Sequence, residues 1–353
     1  MEPFNDNDKG NLSRSPASSS AAPTLFIGAE ERHRGVPEFT IEDMALFHHW
    51  TLTTSESIAG CSGVDYYWQT VFPQIAFQHP FVMYGILSLA SLHQAHLYPE
   101  SRQRLITEAA RYHNQSLHGL RQGIAQINDD SSDALFVCTS LNIVYVFGIY
   151  GKLYDETAGG AGAGAAARTS RILGADWIPM VRGVEAVLHP TYERVRLGPL
   201  KSLLNLGNWE DSDPDRAQVV DDDSFRNLQN IWVESGDCEI YNKTLYLLRK
   251  CHVFMKQFHN IDANTSQDTN YHRKTSAPLI WMHFAPDEYF VRLHQRQPPA
   301  LLIFAYFGSL FHCLDGYWFF EGWGRSIVGV VDELLGDYWG PWLEWPKQFV
   351  GLR

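Results

Sequence analysis

Residues 134–151 read ALFVCTSLNIVYVFGIYG, a run without a single charged side chain. Residues 299–320 form a second apolar stretch that carries His312 and Asp315 inside it. Runs of this length either cross a membrane or fill the centre of a large helical core. Thr139, Ser140 and Asn142 break the first run, and no Lys/Arg asymmetry brackets it. Charges inside a bilayer are costly, and a true span is usually flanked by positive residues on one side. Both runs are therefore expected to be buried core helices, with no membrane span. A chain of 353 residues is long enough to bury them.

The remaining pattern is helical as well. Thr40-Ile41-Glu42-Asp43 has the form of a capping box, opening a short helix with Met44, Phe47, His48 and Trp50. Pro80 suits the first turn of FVMYGILSLASLHQAHL, where Gly85, Ser88 and Ala95 would let a neighbour approach closely. Over 99–127, Leu105, Ala109, Tyr112, Leu117, Leu120, Ile124 and Ile127 fall near one face. Ser131-Ser132-Asp133 caps the run that follows. Further helices are expected at 178–189, 225–260, 278–293, 299–319 and 325–338. No period-two segment is long enough for a strand, and no 20–50-residue repeat is visible. The fold class expected is all-α.

Three segments stand apart. Residues 1–38, rich in Ser, Asn, Asp and Ala, read as a disordered leader ahead of an ordered domain at 39–353. A Gly/Ala run, GGAGAGAAAR, marks a flexible insertion at 157–170. An acidic loop is expected at 209–224, holding Glu210, Asp211, Asp213, Asp215, Asp221, Asp222 and Asp223 against Arg216 alone. Half of the chain's net charge of -12 thus sits in one segment, with no Lys/Arg block opposite it. Such a chain has no electrostatic footprint for a phosphate backbone.

Chemistry-bearing patterns are weak. Cys61, Cys138, Cys238, Cys251 and Cys313 are odd in number and never spaced C-x-x-C. They fit neither a disulfide framework nor a structural zinc site, and suit a reducing compartment. The start MEPFNDNDKG is not a signal peptide. Asp211, Asp213 and Asp215 resemble the opening of a calcium loop, but Arg216 stands where that loop turns on Gly, and Asp222 where it wants Glu. Asp221-Asp222-Asp223 suggests the magnesium cluster of a helical terpene cyclase, although Phe225 occupies the next position on that face and no second motif follows. His93 and His96 could share a metal only with a third ligand. His48 and His49, being adjacent, face different ways. Nucleophile-elbow, dinucleotide and P-loop patterns are absent. No enzymatic activity, cofactor or metal is expected. On one helical wheel Phe304, Phe307, Phe311 and Trp318 form an aromatic stripe, read as core or as the wall of an apolar ligand site. Asn142 and His312 could orient a polar head group or be satisfied core groups.

Longer strings carry more. FTIEDMALFHHWTLTTSE, VFPQIAFQHPFVMYGILSLASLHQAH, ALFVCTSLNIVYVFGIYG, DWIPMVRGVEAVL and GPLKSLL, closed by Trp345-Pro346, resemble in order and spacing the regulatory domain of fungal zinc-cluster regulators, in particular the sterol uptake control branch. The resemblance covers roughly residues 38–350. It implies an α-helical regulatory domain in the nucleus, shuttling from the cytoplasm, controlling lipid, sterol or secondary-metabolite genes. It also implies an apolar, sterol-like ligand in a C-terminal pocket, protein partners in the transcription machinery, and a homodimer. The first 38 residues contain no cysteine, so the family's six-cysteine cluster is absent from them and direct DNA binding is not expected from this chain alone. A stand-alone module that binds a hydrophobic ligand or a partner is the alternative, with the magnesium-dependent enzyme third.

Overall fold

The capping box forms as the sequence asks. Thr40 Oγ1 accepts from the Asp43 backbone N–H at 3.2 Å, and the Asp43 carboxylate accepts from the Thr40 N–H at 2.7 Å. It opens α1 (Ile41–His49), which passes through a π-helical turn, Trp50–Thr54, into α2 (Ser55–Ala59). The computed structural model describes residues 38–59, 66–128, 130–155, 164–204, 209–217, 219, 221–257 and 270–353. The leader expected at 1–38 lies outside them except for its last residue. Among the described residues there is no strand, and the fold is all-α.

Three long helices make the first half: α4 (Pro80–Leu97), α5 (Arg102–Ala125) and α6 (Ser132–Tyr150), preceded by α3 (Phe72–Gln78). Small residues on α4 do what their spacing suggests. The Ser88 and Ser91 hydroxyls donate to the Ala109 and Leu105 carbonyls of α5 at 2.9 Å each. A methyl group on Gly85 would lie 3.0 Å from the Leu141 side chain of α6. With these side chains so short, α4 is held between both neighbours and buries 12 of its 18 residues. α5 buries Leu105, Ala109, Tyr112, Ser116 and Leu120 on one face and shows polar residues on the other.

α6 is apolar on every side. By length and composition it could cross a membrane, with a mean hydropathy of 1.6, yet 13 of its 19 residues are buried in the fold. α4 and α5 cover part of it, and the rest is covered from later in the chain, where Trp177, Phe311, Phe320 and Trp323 surround the Phe147 ring.

After α6, the insertion expected at 157–170 lies outside the described residues up to 163, and from Ala165 the chain is helical in α7 (Ala165–Ile172). The pattern at 178–189 divides into α8 (Trp177–Arg182) and α9 (Val184–Leu197). That at 225–260 becomes the short α10 (Asp222–Arg226), a 3-10 turn Asn227–Ile231, and α11 (Cys238–Gln257). Then follow α12 (Asn270–Phe284), α13 (Asp287–His294), α14 (Pro298–His312), α15 (Trp323–Leu335) and α16 (Gly340–Phe349). Every residue from Ala300 to Phe311 of α14 is buried. α14 and α15 cross almost backbone to backbone, where a methyl on Gly324 would lie 2.5 Å from the Gly308 carbonyl oxygen.

Indole N–H groups tie these layers together. Trp323 donates to the Phe147 carbonyl at 3.0 Å, Trp281 to Thr244 at 3.1 Å, and Trp50 to Trp68 at 3.0 Å. Each ring contributes a large buried surface while its one polar atom stays satisfied.

Candidate functional site

The aromatic stripe is only partly one surface. Phe304, Phe307 and Phe311 lie successively along α14, all fully buried. Phe304 stacks on Phe307 at 5.4 Å between centroids, and Phe307 stacks on Trp281 at 4.3 Å. Phe311 meets Phe147 and Phe320 at 5.4 and 5.1 Å. Protein rings from α6, α12 and the turn after α14 thus line the face where an apolar ligand was expected.

Trp318 does not join them. The helical wheel assumed a helix to 319, but α14 ends at His312 and the chain turns through Leu314–Phe320. A 3.6-residue period has no meaning beyond that end. Trp318 packs instead on His93 at 5.2 Å and His96 at 5.8 Å, and a methyl on Gly148 would meet its ring at 3.0 Å. His49 closes the same cluster from the end of α1, 5.4 Å from His93. His93 Nδ1 is 3.1 Å from the Thr54 hydroxyl. Burial, then the neighbouring His49 and His96, press the His93 imidazole down to about 3, so it is neutral at ordinary pH. Of the two head-group candidates, His312 Nδ1 lies 2.9 Å from the Asp315 carboxylate, and Asn142 Oδ1 is buried without a hydrogen-bond partner.

The acidic segment has a feature beyond the expected loop. Glu210, Asp211, Asp215 and Asp223 are exposed, yet Asp222 is buried and pinned to α11. Arg249, itself buried, donates from Nε to Asp222 Oδ1 at 2.8 Å and from Nη2 to Asp222 Oδ2 at 2.7 Å. Its Nη1 reaches Asp215 at 2.9 Å, while Arg226 donates to Asp222 Oδ2 at 2.6 Å. Lys256 holds Asp221 at 3.3 Å. Burial alone would raise the Asp222 carboxyl, but hydrogen bonds from Arg249 and Arg226 outweigh it and hold the group below its ordinary range. Asp213 accepts the Asp215 backbone N–H at 2.9 Å and pairs with Arg216 at 3.1 Å. Both metal readings therefore meet carboxylates already engaged: Asp213 and Asp215 for a calcium loop, Asp221 and Asp222 for a magnesium cluster.

These groups border an open cleft of about 830 Å³, lined among others by Gln229, Cys238, Glu239, Lys243 and Tyr246. Its mixed polar lining is unlike an apolar pocket, and no pattern in the sequence announced it. The bases come from α10 and α11, 27 residues beyond Asp222 in the case of Arg249. Sequence proximity therefore missed them. A positively charged residue inside an otherwise amphipathic helix was the available signal.

The family match falls on helices α1 to α6, while the longer of two alignments to known proteins runs beyond them. Residues 45–149 match the family model described as the fungal specific transcription factor domain. The chain is 25% identical over 226 residues to sterol uptake control protein 2 of Saccharomyces cerevisiae, an alignment covering 60% of this chain and 22% of that protein. It is 30% identical over 94 residues to sterol uptake control protein 2 of Candida albicans, covering 26% of this chain and 13% of that protein.

Proposed function

Because this chain carries a fungal specific transcription factor domain at residues 45–149 and is homologous to sterol uptake control protein 2, we propose that it is a transcription-regulatory unit acting in the nucleus. The domain match is the observation that carries this reading. The chain spans only a minor part of each relative's length, so the target genes and effectors belong to the proposal too. Control of lipid or sterol genes is the expectation that the relatives' name supports.

Protein partners are the route the geometry favours. The α14 ring face is occupied by protein side chains, whereas Ile41, Leu52, Phe77 and Tyr338 are large apolar groups left exposed. Tyr338 adjoins Trp339 and Trp342 in one surface cluster of rings, and a contiguous cluster supplies contact area for a partner. Fusion of this chain to an unrelated DNA-binding module should change expression of a reporter carrying that module's site. An unchanged reporter, with the fusion shown bound to its site, would refute the proposal.

Binding of a sterol-like ligand is the second reading, favoured by the aromatic density around α14 and by the name of the relatives. It requires rearrangement of Phe304, Phe307 or Phe311 to admit the ligand. A thermal-denaturation series with a solubilised sterol tests it. Saturable stabilisation that Phe307→Ala abolishes supports a pocket there, and absence of any shift removes it.

A further inference from the structure

At the start of α16 three rings meet at the surface. Tyr338 is 77% exposed, and Trp339 and Trp342 are partly exposed. Tyr338 lies 5.3 Å from Trp339 and 6.3 Å from Trp342, and the two indoles are 5.4 Å apart. The cluster is held in place from below. Gly336, at φ 68°, turns the chain out of α15, and the Tyr306 hydroxyl donates to the Trp342 carbonyl at 3.2 Å. It is therefore a contiguous aromatic surface on a fixed backbone, unlike an isolated exposed side chain.

Its charge is one-sided. From Asp332 to Glu344 the sequence holds four acids and no base. Lys347 answers Asp332, and Arg168 answers Glu333. Asp337, the residue before Tyr338, is exposed, whereas Glu344 accepts from the Gln348 amide at 3.1 Å on another face of α16. Ring faces attract cations through their quadrupole, and a planar guanidinium both stacks on them and bonds carboxylates in a bidentate fork.

The geometry points to this patch as a docking surface for an arginine-bearing peptide segment of a protein partner, with guanidinium groups lying on Tyr338, Trp339 and Trp342 and paired to Asp337. A nucleic acid is disfavoured there by the acids of the same stretch. The assignment goes beyond the transcriptional reading and does not depend on it.

Titration of the whole chain with a peptide of alternating glycine and arginine, followed by tryptophan fluorescence, is the test. Saturable binding is expected, weakened about two- to fivefold by Tyr338→Ala, the size of a cation–ring contact at an exposed site. Asp337→Asn should weaken it and flatten its dependence on salt. Tyr338 is mostly in solvent, so far-ultraviolet circular dichroism should show both variants folded. Three results would overturn the assignment: no binding up to about 1 mM peptide, a threshold for very weak association; equal binding by Tyr338→Ala, which places the site elsewhere; or equal binding of the glycine–lysine or glycine–proline peptide, which reduces the effect to bulk charge or to apolar contact.

Discussion

Replacing Arg249 with methionine would leave the buried Asp222 carboxylate with Arg226 as its one remaining cation. Breaking a buried pair from one side typically costs about 3–5 kcal/mol, and the surviving Arg226 contact sets the expectation near the lower figure, about 3. Urea unfolding would measure it. Arg249→Met combined with Asp222→Leu should recover most of the loss, because removing both partners leaves no charge stranded. A double variant no more stable than the single one would mean that the pair positions the segment in a way packing cannot replace. The sign with pH follows from the lowered Asp222 carboxyl. Its contribution is complete above its ordinary value of 3.8 and is lost as the pH falls below that. At this scale the sequence was misleading. Counting neighbours along the chain gave the acids one base, Arg216, while folding supplied Arg226, Arg249 and Lys256 from α10 and α11.

Among elements, the crossing of α14 and α15 is the most demanding contact. A methyl on Gly324 would lie 2.5 Å from the Gly308 carbonyl and 2.6 Å from the His312 nitrogen, and backbone atoms cannot step aside as a side-chain tip can. Gly324→Ala should therefore destabilise by at least about 1–3 kcal/mol, the usual range for overpacking. Gly329, on the same helix, has only the Leu352 side chain within reach, at 3.8 Å. Gly329→Ala should leave the fold intact and stabilise it by up to about 1 kcal/mol through helix propensity. Paired denaturation curves would compare the two. Helix existence was readable from caps and from 3.6-residue patterns, as at Thr40 and along α5. The small residues of α4 likewise announced a helix packed on several sides. Helix ends were less legible: apolar residues continue past His312 in both sequence and core, and the one mark of the break before Trp318 was the turn-forming pair Asp315-Gly316.

For the whole molecule, acid should be damaging earlier than carboxylates alone would cause. Burial holds His93 down to about 3 and both His113 and His252 to about 4, and it lowers His49 and His79 as well. Between those values and 6.5 the unfolded chain binds protons that the folded one refuses, so stability falls as the pH drops below 6.5. Each such histidine can contribute up to about 1.4 kcal/mol per pH unit, and three together approach about 4. Asp133 and Asp315, raised by burial, act in the opposite sense near the carboxylate range. Set against a domain stability of about 5–15 kcal/mol, cooperative unfolding is expected near pH 5. His93→Gln should flatten the slope, read as melting temperature against pH, and an unchanged slope would show that His93 does not bind a proton in the unfolding range. The all-helical architecture was legible because caps and 3.6-residue spacing recur, as along α5, and because apolar runs such as α6 are too long for strands. The polar cleft and the three-histidine cluster were not, since each joins residues far apart in the chain.

The Phe147 carbonyl receives the Trp323 indole from 176 residues further on. At a ribosomal rate of about 5–20 residues per second, that tryptophan follows by about 9–35 s. Through much of that interval α6 can pack only on α4 and α5, and its Phe147 end lacks the rings that finally cover it. A helix that passes a membrane test by composition would then compete for any greasy surface in the cell. Newly made chains should accordingly depend on a holdase or on rapid completion, and slow codons placed between α6 and α15 should lower the yield of folded protein more than the same codons placed after α15.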